Sequence, residues 1–486
     1  MMPRRSLVLL AIFTFFGVTT YVLTAAWLYR PGFPLDDSWI HLTYARNLAL
    51  RGEWSFLPGQ NSAGSTAPLW TFLLAVGFFL RISPYVWAYF LGGVMFFLLA
   101  WRIEFTLRRM QPAYTSIMPW AGLLVLGEWH LAWASASGME ILLHALIITM
   151  VISMLILGDP RFLLMGLLAG LSIWSRPDGL TLLGPLGLFA VLYPKTNRQK
   201  VSAAMRVLLG FVALFGPYLL FNLLLADTPW PNTFYAKQAE YAVWQAQPVF
   251  TKLSALLGQY FSGVTLALIP AVVLLLVKAA QKRGWGILLA FVWLAGYAWL
   301  YVSRLPLYQY GRYIMPTIPV FLLLALIFLF FWLPVVRTRV QRYLRFAWLA
   351  SIALLGIVLW AYGAYLYAKN VAWVESEMVQ TAYWVKQNLP SDTLVAAHDI
   401  GALGYFSGLE QVVDLAGLIS PQVVPFMLDE SRLLVYLQNQ GATNIIVFPE
   451  WYPGLVKDCL LVYEADGRYA GQNPQGILSV YECQKP

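Results

Sequence analysis

Long apolar stretches separated by short polar loops dominate the first three quarters of the chain. Stretches of this length, free of charge at their centres, are long enough to cross a bilayer as helices. The pattern predicts about eleven spans and therefore a polytopic α-helical membrane protein. The spans are expected near residues 7–28, 84–101, 113–133, 140–158, 161–175, 179–194, 206–226, 254–279, 285–303, 313–336 and 345–367.

One further apolar stretch, residues 67–82, does not fit this count. It is apolar enough to span, but a span there would move every later basic loop to the opposite side of the membrane. We therefore expect it to lie in the interface or to enter and leave on one face. The first span follows Arg4 and Arg5 and lacks a clear cleavage site, which indicates an uncleaved helix that starts in the cytoplasm.

Charged side chains gather at the ends of the apolar stretches. Hydrophobic residues make up 60% of the 486 residues and charged residues 11%, against roughly a quarter charged in soluble domains. The net charge of +9 comes from Lys and Arg in short loops, a positive-inside pattern that needs no nucleic acid partner. The long loops 36–70, 227–250 and 304–313 then fall on the outer face of the cytoplasmic membrane.

The pattern changes at about residue 370, where charge increases and the apolar runs shorten. Strands are predicted at 394–397, 411–415 and 444–448, and helices at 374–388 and 431–440. This alternation predicts a small extracytoplasmic α/β domain over residues 370–486, after a transmembrane module over residues 1–369.

The two cysteines, Cys459 and Cys483, both lie in this tail. They flank two β-type runs that would form a hairpin around Gly471. Symmetric arms would bring the cysteines opposite each other, so the pattern is compatible with a disulfide outside the membrane.

The first loop, residues 31–70, carries the most chemistry. Asp36 and Asp37 precede a segment, Trp39 to Ala49, whose apolar residues recur at helical spacing. This spacing predicts an amphipathic helix along the membrane surface. Carboxylates at its start either cap the helix or do chemistry, because a helix N-terminus favours their ionised form.

Five segments of the chain share one pattern with a known family. They are Asp-Asp-Ser-Trp at 36–39, Tyr-Ala-Arg-Asn-Leu-Ala at 44–49, Gly-Ser-Thr-Ala-Pro-Leu-Trp at 64–70, Ser-Arg-Pro-Asp-Gly at 175–179 and Pro-Asn-Thr-Phe-Tyr-Ala-Lys at 231–237. Together they resemble GT-C glycosyltransferases, which take a sugar from a polyprenyl-phosphate carrier on the outer membrane face. The first loop carries the most specific part of this resemblance, and within the family the segments look most like the bacterial branch with the terminal arabinofuranosyltransferases of mycobacterial walls.

The resemblance implies roles for three acidic residues in an inverting transfer. By the family's pattern Asp36 is the general base, and Asp37 holds the geometry of the site, a metal ion or the acceptor. Glu140 fits the family's second acidic position, where it would position the acceptor or a metal. A sugar hydroxyl is a poor nucleophile, so a carboxylate must take its proton. This chemistry requires no cofactor, and it leaves a divalent metal open.

The lipid phosphate that leaves needs only cations to hold its charge. Four candidates fall at the outward ends of predicted spans: Arg176, Lys237, Arg304 and Arg312. Structural alternatives exist for three of them. Lys237 would be a surface lysine beside lipids, Arg312 an interfacial anchor among tyrosines, and Arg176 an internal ion pair with Asp178.

His398 begins a His-Asp-Ile-Gly sequence that matches the short signature of metal-dependent phosphohydrolases. Such a site needs more His and Asp, and the other histidines lie in or near membrane segments, so this activity is excluded. We expect His398 instead to point from the tail toward the active cleft. The chain also lacks nucleotide-binding loops and zinc-spaced clusters, which makes nucleotide sugars poor donor candidates.

These features predict a cell-envelope glycosyltransferase that uses a polyprenyl-phosphate sugar and a glycan or glycolipid acceptor bound by the tail. Three alternatives stay open, and the chemically nearest is a ligase or polymerase that moves preformed glycans between carriers. A transporter or flippase would place charges at mid-membrane and pair its broken helices. A non-catalytic membrane scaffold would leave the Asp36–Asp37 loop without a task.

Overall fold

The computed structural model describes residues 2–305, 311–333, 338–470 and 476–483. Most of them lie in helices. In chain order these are α1 (Arg4–Leu28), α2 (Asp37–Arg51), α3 (Pro68–Phe79), α4 (Pro84–Met110), α5 (Trp120–Leu126), α6 (Trp129–Ser135), α7 (Ile141–Leu157), α8 (Phe162–Ser175), α9 (Leu183–Leu192), α10 (Asn197–Ala226), α11 (Asn232–Glu240), α12 (Ala242–Gln245), α13 (Val249–Tyr260), α14 (Thr265–Lys282), α15 (Trp285–Ser303), α16 (Ile318–Phe331), α17 (Arg339–Val374), α18 (Gln380–Asn388), α19 (Gly401–Phe406) and α20 (Glu430–Gln440).

Within the described ranges, six helices are long and apolar enough to cross a bilayer. They are α1, α4, α10, α14, α15 and the continuous helix Arg339–Asn388 that begins with α17. Shorter apolar helices pack between them. Among these, α7 has almost every side chain buried, because other helices surround it. The architecture is that of a multi-pass membrane protein.

Two of the predicted spans, 113–133 and 254–279, are each broken in two, into α5 and α6 and into α13 and α14. Glu128 joins the two breaks. Its carboxylate accepts hydrogen bonds from the backbone N–H groups of His130 at 3.4 Å and Val264 at 3.2 Å, and Oε1 lies 2.5 Å from His130 Nδ1. Since amides at a helix start lack partners in their own helix, this buried carboxylate stabilises both breaks.

Helix α2 differs from its predicted position. It was expected to lie along the membrane surface, but residues Ser38 to Ala45 are all buried, and the helix packs between α3 and α19. Its polar side chains form hydrogen bonds inside the protein. The Asn47 side-chain amide, for example, donates to the carbonyl oxygens of Ser55 and Phe56. Helix α3, in the apolar stretch 67–82, is about 18 Å long at 1.5 Å per residue, shorter than the ~30 Å hydrocarbon core of a bilayer.

After α17 the chain continues through a π-helical turn, Glu375–Val379, directly into α18. The predicted domain boundary at residue 370 therefore lies inside a continuous helix. The strands within the described ranges are short. They are β1 (Ser55–Leu57) and β2 (Gln60–Asn61) in the first loop, and β3 (Val395–Ala397), β4 (Val412–Asp414), β5 (Asn444–Val447), β6 (Leu460–Glu464) and β7 (Ser479–Glu482) in the tail.

The tail strands form one mixed sheet in the order β4-β3-β5-β7-β6. Strand β3 is parallel to both β4 and β5, and β7 is antiparallel to β5 and β6. The three strands and the helix α20 predicted here are present, because their Val- and Ile-rich runs and the Asp429 cap are strong local signals. A disulfide joins Cys459 and Cys483 beside β6 and β7. The predicted turn at Gly471 lies outside the described residues.

Candidate active site

A cavity of about 590 Å³ lies between α2, α11 and the ends of α8 and α15. It brings together most of the residues that the sequence singled out. Asp37, Glu140, Arg176, Lys237, Arg304 and Arg312 all line it, whereas Asp36 and His398 do not. Apolar side chains form much of the remaining wall, among them Trp230, Phe234, Leu300 and Leu305.

Glu140, Arg176 and Asp178 form one end of the cavity and are named the inner cluster here. Arg176 Nη1 lies 2.8 Å from Glu140 Oε1, and Arg176 Nε lies 3.2 Å from Asp178 Oδ1. The hydroxyl groups of Tyr297 and Tyr301 both donate to Asp178 Oδ2, and the Tyr297 hydroxyl oxygen lies 2.6 Å from it. The ion pair of Arg176 with Asp178, an alternative drawn from the sequence, is therefore present, and Glu140 extends it.

His41 is a cavity residue that the sequence reasoning missed. Its Nε2 lies 3.5 Å from Glu140 Oε2 and its Nδ1 lies 3.1 Å from the Ser65 hydroxyl. Burial alone would raise the pKa of Glu140, but His41 and Arg176 hold it below its usual range. The spacing carried a signal, because His41 follows Asp37 by four residues and so shares its helix face.

The other polar side of the cavity, named the rim group here, consists of Asp37, Lys237, Arg304 and Arg312. Asp37 Oδ2 lies 2.6 Å from Arg312 Nη1, and Lys237 Nζ lies 2.7 Å from Glu240 Oε2. Burial raises the pKa of Asp37, but Arg312 and Lys237 outweigh it and hold the pKa below its usual range. Arg304 is exposed, and its guanidinium has no ion-pair or hydrogen-bond partner among the described residues.

Tyr313 connects the inner cluster with the rim group. The guanidinium carbon of Arg176 lies 5.0 Å from the centre of its ring, and that of Arg312 lies 4.7 Å away. Arg312 Nη2 also donates to the Tyr313 hydroxyl at 2.8 Å. Because an aromatic ring attracts cations at its face, Tyr313 fixes the spacing of the two arginines.

Asp36 points away from the cavity. Its Oδ2 accepts a hydrogen bond from Gly401 N at 2.6 Å, and its Oδ1 accepts one from Ala402 N at 2.7 Å. Burial raises the pKa of Asp36 to about 7, although the two amides oppose this and Asp37 adds to it. Both carboxylate oxygens are occupied by the tail, so this geometry does not favour the base role expected for Asp36.

His398 also differs from its expected position. Its Nδ1 lies 2.7 Å from the Tyr452 hydroxyl, and its ring lies 5.0 Å from that of Trp451. Burial lowers the pKa of His398 to about 4. The side chain therefore packs among aromatic residues of the tail and does not line the cavity. In the part of the chain that the structure describes, no three His, Cys, Asp or Glu side chains group closely enough to hold a metal ion.

Comparison with known proteins bears on the fold and on the tail. The crystal structure of ArnT from Cupriavidus metallidurans bound to undecaprenyl phosphate superposes with a TM-score of 0.58 at 14% identity. The apo structure of the same protein gives 0.61 at 15% identity. Each comparison covers 97% of this chain and 97% of ArnT. The chain therefore has the fold of ArnT, which supports the GT-C fold implied by the first-loop resemblance.

Residues 366–478 match the model of a domain of unknown function, DUF8728. This match covers the tail together with the end of α17. No curated protein matches the chain.

Proposed function

We propose that the protein transfers a sugar from a polyprenyl-phosphate carrier to a glycan or glycolipid acceptor at the outer face of the cytoplasmic membrane. The observation that carries the proposal is the rim group. It sets a carboxylate, Asp37, beside three cations in a cavity whose remaining wall is largely apolar. The ArnT fold supports a polyprenyl-phosphate ligand, because ArnT was crystallised with undecaprenyl phosphate.

Asp37 is the base in this proposal. The acceptor hydroxyl attacks the anomeric carbon, the bond from that carbon to the phosphate oxygen breaks, and the polyprenyl phosphate leaves with the bonding electrons. The hydroxyl proton passes to Asp37. Asp37 is suited to this step because it lines the cavity and its lowered pKa keeps it anionic at neutral pH. A single displacement of this kind inverts the anomeric configuration.

The cations of the rim group differ in how available they are to a phosphate. Arg312 and Lys237 already share their charge with Asp37 and Glu240. Arg304 is exposed and has no such partner within the described ranges, so we assign it the first contact with the phosphate. A fixed cation stabilises the charge that develops on the leaving group. The apolar wall would accommodate the first isoprene units of the carrier.

A second candidate function, transport of a lipid-linked substrate, is favoured by one feature. The two broken helices meet at buried Glu128, and paired broken helices are typical of transporter binding sites. However, Glu128 Oε1 is engaged by His130, and the carboxylate also accepts the amides of both breaks. The charged cavity lies elsewhere, between α2, α11 and the ends of α8 and α15. Sugar transfer therefore remains the function that the site supports best.

The experiment is sugar transfer by the full chain in proteoliposomes. A panel of decaprenyl- and undecaprenyl-phosphate sugars is offered with a matrix of glycan and glycolipid acceptors, and the product's anomeric configuration is read by NMR. We expect transfer from one donor class with inversion, and its loss in Asp37→Asn. Asp429→Asn is the matched control, because Asp429 caps α20 at the protein surface. Counterflow of an intact lipid-linked sugar without transfer would contradict the proposal and support transport.

A further inference from the structure

Three successive residues at the start of α2 are anchored to three different parts of the molecule. Asp36 binds the amides of Gly401 and Ala402 in the tail. Asp37 pairs with Arg312 at the cavity. The Ser38 hydroxyl donates to the carbonyl of Ser137 at 2.7 Å, in the turn that leads to Glu140. Adjacent residues of a helix point about 100° apart, so fixing Asp36 and Ser38 also fixes the direction of Asp37.

The contact with the tail extends along α2. Arg46 Nη1 donates to the carbonyl of Tyr405 at 2.7 Å, and Nη2 donates to that of Gly404 at 3.2 Å. The Trp39 ring packs against Tyr405 and Phe406, with ring centres 4.8 and 4.5 Å away. Helix α2 thus holds α19 at both ends. A carboxylate meets the amides at its start and a guanidinium meets the carbonyls at its end, which is the favourable order for a helix dipole.

Gly401 is required by the close approach of the two segments. A methyl group added at this glycine would lie 2.1 Å from the Asp36 carbonyl oxygen and 2.7 Å from Oδ2. Both distances are well below van der Waals contact. Any larger residue would therefore push Asp36 away from the amides and rotate the start of α2.

We propose that the tail positions the catalytic carboxylate, with Asp36, Arg46 and Gly401 as positioning residues for Asp37. In this view α19 holds the start of α2 in place, and the tail therefore supports the active site in addition to receiving the acceptor. The inference rests on the proposed function, since Asp37 has a proton to accept only if transfer occurs. It also gives Asp36 a role other than that of the base.

The test compares Asp36→Asn and Gly401→Ala with two matched controls in the full chain, reconstituted in nanodiscs. Asp429→Asn is the carboxylate control, and Gly356→Ala is the glycine control because an added methyl there has no neighbour within 4 Å. A displacement of about 1 Å costs on the order of 10²-fold in rate. We therefore expect both test variants to lose about that much in kcat with donor KM changed less than about threefold. Both controls keep the wild-type values.

Two further measurements separate positioning from loss of fold and from a base role. Hydrogen exchange should show the amides of Gly401 and Ala402 protected in the wild type, and at least one of them exchanging faster in Asp36→Asn, because asparagine keeps only one acceptor oxygen; the rest of the tail should be unchanged. The residual transfer of Asp36→Asn should keep the wild-type dependence on pH, because the base is still Asp37. A decline of wild-type transfer below about pH 7 that is absent in Asp36→Asn would instead make Asp36 the base and overturn the proposal.

The proposal is also overturned if Gly401→Ala keeps kcat within about threefold of the wild type, or if exchange at the two amides is the same in Asp36→Asn. If the wild type transfers no sugar, the proposed function fails and Asp37 loses its catalytic role. Amide exchange at residues 401 and 402 then still decides whether α2 holds α19.

Discussion

The inner cluster and the rim group line the same cavity, but they satisfy their charges differently. In the inner cluster one guanidinium, Arg176, is shared by two carboxylates, and two tyrosine hydroxyls complete Asp178. In the rim group Arg304 has no ionic partner within the described ranges, and Asp37 retains 20% side-chain exposure. Buried charges that pair with one another stabilise the structure, whereas a cation without an ionic partner is available to a ligand. Under the proposed function, the rim group therefore binds the donor and reacts, and the inner cluster supports it.

The largest expected effect comes from removing the rim carboxylate. Asp37→Asn should lower transfer by about 10²–10⁴-fold, the usual contribution of a general base, while undecaprenyl phosphate still binds. Transfer is measured with the preferred donor, and binding is measured by titration in nanodiscs. Transfer within about tenfold of the wild type would show that the reactive carboxylate is not in the rim group.

A substitution in the inner cluster should instead lower the stability of the fold. Arg176→Met removes the guanidinium from Glu140 and Asp178, whose side chains are only 1% and 3% exposed, so the free energy of unfolding should fall by about 3–5 kcal/mol. Thermal unfolding in detergent, followed by tryptophan fluorescence, measures this. Arg304→Gln is the matched arginine of the rim group and should change stability by less than about 0.5 kcal/mol. Equal stability of the two variants would remove the distinction between the two groups.

Arg304→Gln should act on the ligand. Losing one hydrogen bond to a charged phosphate costs about 1.5 kcal/mol at the lower end of the usual range, which weakens the binding of undecaprenyl phosphate by roughly tenfold. Arg198→Gln, at an exposed site near the start of α10, controls for general attraction between the protein and anionic lipid. The same loss in both variants would assign the effect to the membrane surface.

The smallest effect concerns pH. A base works in its deprotonated form, so its rate falls about tenfold for each pH unit below its pKa. The pKa of Asp37 is below its usual range, and transfer by this base should therefore stay level from about pH 8 to about pH 5. Asp36, with a pKa of about 7, would instead give a decline that begins near pH 7 and continues to pH 5. The profile of kcat/KM against pH distinguishes the two carboxylates.

Local patterns predicted most of the elements of the fold. Apolar runs located the long helices, and short Val- and Ile-rich runs located β3, β4 and β5. The interruptions at Glu128 and near Gly263 were missed, because each short polar run lies inside a longer apolar stretch and the contact between the breaks, from Glu128 to Val264, spans 136 positions. The burial of α2 was missed for a related reason, since its partner α19 lies more than 350 positions away in the chain.

The sequence predicted which residues form the candidate site more fully than it predicted the directions in which their side chains point. Charges at span ends identified the cations of the cavity, and the first loop identified the paired carboxylates. Which of Asp36 and Asp37 faces the cavity depends on the amides of Gly401 and Ala402, and no local spacing encodes that contact. His398 was placed in the cleft for lack of the same information, because its direction is set by Tyr452.

The unbroken helix from Arg339 to Asn388 makes the rotational phase of the tail depend on residue count. One residue inserted in α17 beyond Gly363, where Trp129 packs, would turn everything after it by about 100°. Seven inserted residues would restore the phase to within about 20° but raise the tail by about 10 Å. The length and the helical phase of the last span therefore fix both the height and the rotation at which the tail meets the rest of the protein.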